Sequence, residues 1–127
     1  MAHPADRKYS EEHEWVVIDG DVATIGISHF AQDQLGEVVY VDLPSEGDSI
    51  TAGETFGEIE SVKSVSELFA PLTGEIVAVN DGLSDAPETV NQDPHAEGWM
   101  IKVKLDDPAE VDGLMTAEEY DAFVTKG

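Results

Sequence analysis

Residues 60–80 read ESVKSVSELFAPLTGEIVAVN. Two β-prone segments meet at Lys63: Val62 and Val65 are expected to hold a strand on each side, and the small polar Ser61 and Ser64 leave the amine unobstructed at a turn. The far end of the stretch, Gly74-Glu75-Ile76-Val77-Ala78-Val79, matches Gly36-Glu37-Val38-Val39-Tyr40-Val41 at four of six places. AGETF at 52–56 likewise resembles APETV at 86–90. Two similar β units therefore flank Lys63. Such duplication predicts two related sheets packed face to face, a sandwich or flattened barrel, with the linking hairpin projecting at one end.

Working outward, WVVIDGDVATIGI at 15–27 predicts two strands joined at Asp19-Gly20, a pair that tolerates the positive φ of tight hairpins. SHFAQDQLG at 28–36 predicts a short helix in the N-terminal third, capped by Ser28 and ended by Gly36 in the left-handed conformation. GEVVYVDLP, a turn at Glu46-Gly47-Asp48 and ITAGETFGEIE continue the β pattern. At the other end WMIKVKL alternates as a strand. Asp107 before Pro108 offers a cap and first-turn pair, and Thr116-Ala117-Glu118-Glu119 is a capping box. Short helices are thus expected over about 107–126, with Leu114, Met115, Tyr120 and Phe123 to pack against the sheets. The predicted fold is mostly β with helical additions, in a single domain spanning 1–127.

Charge is the unusual feature: 28 Asp plus Glu against 6 Lys plus Arg give −22. Such a surface repels nucleic acid and anionic membranes, and its self-repulsion is relieved by concentrated salt, which points to a halophilic source. Without cysteine, disulfides, thiolate metal sites and cysteine nucleophiles are excluded. No segment approaches the roughly 20 apolar residues of a membrane span, and MAHPADRKYSEEHEWV lacks the apolar run of a leader, so a cytoplasmic protein is expected.

Few residues offer chemistry. His3, His13, His29 and His95 fall in no ligand spacing, and exposed loops account for them without a metal. No phosphate-binding glycine loop or serine nucleophile elbow occurs. Carboxylates are so numerous that no pair of them points to acid-base catalysis. Lys63 stands apart, because positions 9 to 101 hold one basic residue against twenty acidic ones. A lone ammonium among carboxylates is a weak nucleophile, which argues against Schiff-base chemistry and for a lysine acylated by another enzyme.

Glu60-Ser61-Val62-Lys63-Ser64 resembles the attachment motif of lipoyl carriers, and the chain most closely resembles the H-protein family of the glycine cleavage system. HEWV at 13–16, VATIGIS at 22–28, FAQDQLGEVVYVDLP at 30–44, the 60–80 stretch, GWMIKV at 98–103 and EEYDAF at 118–123 carry the likeness in the family's order. Biotin carriers share the architecture, but they usually flank their lysine with methionines where Val62 and Ser64 stand. The resemblance implies a lipoyl-type fold with Lys63 at the hairpin tip, lipoic acid joined to it as N6-lipoyllysine, and no catalytic side chain. It implies a monomeric shuttle that carries the aminomethyl group of glycine from a pyridoxal-phosphate glycine decarboxylase to a tetrahydrofolate-dependent aminomethyltransferase. Dihydrolipoamide dehydrogenase then reoxidises the arm, and a lipoate ligase or lipoyl transferase installs it. Some H-like proteins instead donate lipoate to other complexes, the alternative reading. Family members shelter the loaded arm in an acidic cleft, and by position Glu14 and Glu67 are the candidates for it. Where the family often has a histidine near 30–34, this chain has Phe30 and Gln34.

Overall fold

The computed structural model describes residues 4–126. Nine strands run β1 Lys8–Tyr9, β2 Glu14–Asp19, β3 Val22–Ile27, β4 Val38–Asp42, β5 Ser49–Ile50, β6 Thr55–Ser61, β7 Val65–Phe69, β8 Gly74–Val79 and β9 Ile101–Leu105. Helices α1 His29–Leu35, α2 Gly82–Asp85, α3 Thr89–Gln92 and α4 Ala117–Lys126 complete the chain with a 3₁₀ turn at Pro108–Gly113. The strands form two antiparallel sheets: a larger one in the order β1-β2-β3-β9-β8-β5, and a smaller one in the order β4-β6-β7. The two sheets stay separate and face each other, so the expected sandwich or flattened barrel takes the form of a sandwich without barrel closure. No described helix is long and apolar enough to cross a membrane.

Alternation builds the core. Val16, Ala23, Ile25, Ile27, Ile76, Ile101, Val103 and Leu105 point inward from the large sheet and meet Val38, Val41, Phe56, Ile59 and Leu68 from the small one. Each buried Val, Ile, Leu or Phe among them contributes about 1.5–3 kcal/mol before conformational entropy is charged. A second cluster lies on the other side of the large sheet, where Tyr9, Trp15, Ala117 and Tyr120 hold α4. There the Trp15 indole lies directly over Gly26, where a Cβ would stand 2.6 Å from the ring, so the packing requires glycine.

Local signals stand beside several corrections. The β2–β3 turn residues are Gly20 and Asp21, one place later than expected; only Gly20 has a positive φ, 66°, which suits a type II′ turn. Ser28 caps α1 by accepting from the Ala31 N–H at 3.1 Å. Gly36 ends that helix at φ 81°, ψ −154°, a region open essentially to glycine alone, rather than in the left-handed helical conformation. GEVVYV and GEIVAV both carry strands, one in each sheet, but APETV opens α3 while AGETF leads into β6, so that half of the apparent repeat is coincidental. The capping box closes reciprocally, with Thr116 N–H on Glu119 Oε1 at 2.9 Å and Glu119 N–H on Thr116 Oγ1 at 3.2 Å. The helix expected after Asp107 is a 3₁₀ turn, and Phe123 is 40% exposed rather than packed on a sheet.

Candidate functional site

The β6–β7 hairpin presents Lys63. Ser61 closes the turn: its N–H donates to the Ser64 carbonyl at 2.8 Å, and its Oγ accepts from the Lys63 and Ser64 amides at 3.3 and 3.2 Å. Small hydroxyls here thus brace the turn as well as keeping it open. Val62 and Val65 are 66% and 60% exposed, so they ring the lysine with apolar surface instead of anchoring strands in the core. The Val62 N–H donates to the Glu37 carbonyl at 3.0 Å and ties the tip to the segment after α1. Lys63 is exposed, and no ion pair or hydrogen bond engages its ammonium among the described residues. Its stem rests against Gly36, where a Cβ would lie 3.2 Å from Lys63 Cε.

Beside the hairpin runs a groove of about 700 Å³ between the edge strand β7, helix α1 and the turn joining β1 to β2. Both acidic candidates line it. Glu67 is exposed on β7, while Glu14 at the start of β2 is only 2% exposed. Ser10 Oγ donates to Glu14 Oε1 at 2.6 Å and accepts from the Glu14 N–H at 3.1 Å, and the Phe69 backbone amide faces the carboxylate. Burial nevertheless dominates and pushes the Glu14 carboxyl up to about 8, those hydrogen bonds opposing it. Glu14 is therefore largely a neutral acid near neutrality unless a cation reaches it. Phe30 and Gln34 line the groove as well, and Ile27, Leu35 and Leu68 give it apolar walls.

Sequence reading missed His13. It closes the β1–β2 turn at φ 73°, the left-handed region that a non-glycine residue adopts at a cost of about 1–2 kcal/mol, and it lines the groove. Its Nδ1 lies 2.8 Å from Tyr120 Oη, which lies 2.7 Å from Ser28 Oγ, so one buried phenol joins α4, the α1 cap and this turn. The ring also packs 5.1 Å from Phe30 between centroids. His29 and His95 are equally engaged, the His29 backbone N–H donating to His95 Nε2 at 3.2 Å; His3 lies outside the described residues. No cluster of three metal-ligating side chains occurs among the described residues.

An exposed, unpaired amine at a braced tip, beside an elongated groove with apolar walls and a buried acid, fits an amide-linked arm that ends in a cationic group. A search of family models matches glycine cleavage H-protein over residues 7–127. The glycine cleavage system H protein of Bacillus pumilus is 56% identical over 121 residues, 95% of each chain. That of an Anaeromyxobacter species is 54% identical over 124 residues, covering 98% of this chain and 97% of its own. A crystal structure of a glycine cleavage system H protein from Mycobacterium marinum superposes with a TM-score of 0.89 at 41% identity, over 96% of this chain and 98% of its own.

Proposed function

The chain belongs to the glycine cleavage H-protein family, and from that premise we propose that it is the lipoyl-bearing carrier of the glycine cleavage system, with the lipoyl group amide-linked to Lys63 Nζ. The carrying observation is the free Lys63 amine on a hairpin braced by Ser61, next to a groove that has Glu14 buried in it. Held at Lys63, a lipoyl group would supply a dithiolane able to accept the aminomethyl group from glycine decarboxylase, to yield it to aminomethyltransferase and to be reoxidised by dihydrolipoamide dehydrogenase. The chain's own residues hold and shield. Tethering at Lys63 keeps the reactive end at high effective concentration near each docked enzyme. The absence of cysteine leaves no protein thiol to exchange with the arm's disulfide.

Glu14 and Glu67 would hold the amine end of a loaded arm lying in the groove. Glu14 sits where water is scarce, so an ammonium arriving there draws the carboxyl into its ionised form and gains a charge-assisted hydrogen bond. Glu67 stays at the solvent side of the groove. His13 and Phe30 form the facing wall that limits access of water.

Two measurements test this. Intact mass after incubation with lipoate ligase, lipoate and ATP should rise by one lipoyl group and should not rise for Lys63→Arg; an equal gain in the variant places the attachment elsewhere. For the loaded carrier, Glu14→Ala should shorten the lifetime of the aminomethyl group, and an unchanged lifetime removes Glu14 from the shelter.

A further inference from the structure

The hairpin and groove leave one concentration of side chains unused. On the outer face of the large sheet, Lys102 and Lys104 of β9 alternate with the inward-pointing Ile101, Val103 and Leu105. Lys102 Nζ lies 5.2 Å from the Trp99 ring centroid, and the Arg7 guanidinium carbon lies 4.8 Å from that of Trp15. Arg7 is held in place by the His95 carbonyl at 2.6 Å and by Asp6 at 2.9 Å. Between these groups is a concavity of about 210 Å³ lined by Arg7, Trp15, Thr24, His95, Trp99 and Lys102. Three of the chain's six basic residues and both of its tryptophans thus share one face of a protein with 28 acidic residues. Glu75, paired with Lys104 across β8–β9, and Asp19 at the end of β2 mark its margins.

We propose that this face is a docking surface for an acidic segment on one of the carrier's partner enzymes. The inference rests on the carrier reading and assigns it a contact that the arm does not make. A carboxylate of the partner meets Lys104 in the open and Lys102 at the edge of the concavity, where the Trp99 indole excludes water and strengthens the pairing, while Arg7, already paired with Asp6, braces the wall behind. Trp99, half-buried beside Lys102, is of the residue type that most often carries interface energy. Because the described surface elsewhere is dominated by carboxylates, a partner's acidic segment finds its match chiefly here, which fixes the orientation in which the hairpin is presented. A second copy is the poorer occupant. Each copy carries −22, and a basic face meeting an acidic face elsewhere on the next copy is a head-to-tail contact that does not close.

The test uses the full-length carrier lipoylated on Lys63, as wild type, Lys102→Gln/Lys104→Gln and Lys102→Arg/Lys104→Arg, with each of the three enzymes of the system in turn. The glutamine pair should raise the KM for the carrier about fivefold with one or more enzymes at unchanged kcat, and the arginine pair should restore it. Wild-type KM should climb with KCl more steeply than that of the glutamine pair. An unchanged KM with all three enzymes overturns the proposal, as does wild-type self-association in sedimentation that the glutamine pair abolishes. If no enzyme turns over the wild-type carrier, the carrier reading fails; if wild type is active and the glutamine pair behaves identically, only the docking inference fails.

Discussion

Glu14 makes the folded state pH-sensitive in a direction opposite to that of most carboxylates. Its ordinary carboxyl value is 4.5, and burial in the fold raises it to about 8. Between those limits the unfolded chain has released the Glu14 proton while the folded chain still binds it, so stability falls as pH rises, by about 1.4 kcal/mol per unit. Stability is full below the unfolded value and is lost as pH climbs through the folded one. Integrated from pH 5 to pH 9, the loss is about 4 kcal/mol, a large fraction of the 5–15 kcal/mol by which a domain is ordinarily stable. Glu14→Gln keeps an acceptor for Ser10 Oγ but has no proton to lose. In denaturant titrations at fixed molar KCl, which screens the other carboxylates, the wild-type midpoint should fall steeply across this range relative to the variant. The variant should be the more stable protein at pH 9. Parallel curves would refute the reasoning, because they would mean that Glu14 ionises alike in both states and is not buried in solution.

Gly36→Ala combines a backbone region closed to other residues with a Cβ 3.2 Å from Lys63 Cε, so it should lower stability by about 1–3 kcal/mol in denaturant titration. Tyr120→Phe removes the hydroxyl that joins Ser28 to His13; a stability loss of about 1–3 kcal/mol and a displaced His13 ring resonance in NMR are expected. The halophilic reading requires the melting temperature to rise from low to molar KCl, and a flat or falling curve counts against it.

What the sequence showed plainly was local. Ser28, the Thr116–Glu119 box and the turn at Lys63 act on groups within about three residues of themselves, so their chemistry is visible in a short window. The groove is another matter, since it exists only where β7 comes alongside α1 and the β1–β2 turn, and nothing in SEEH at 10–13 announces that His13 will adopt a positive φ against a tyrosine 107 residues away. Glu14 carried a readable clue. In EWVVI the alternation that sends Val16 into the core sends Glu14 to the same face, which separates it from the other carboxylates of the chain. APETV misled for the converse reason: its likeness to a strand-forming string was local, and after Gly82 the chain packs as short helices whose Leu83 and Val90 plug the core.

The buried acid, the left-handed histidine and the edge strand are therefore one arrangement rather than three oddities. Strand β7 ends its sheet, so its outward amides lack a neighbouring strand, and the Phe69 amide faces Glu14 across the gap between the sheets. Glu14 faces inward because the turn through His13 delivers β2 in the needed register by closing Ser10 onto it. Filling the gap with apolar side chains would remove the pH-dependent cost of Glu14 and the strain at His13, but it would also remove the groove. A fold that keeps a destabilising carboxyl at the end of an open channel, next to an exposed amine, is spending stability on a place for something else to lie.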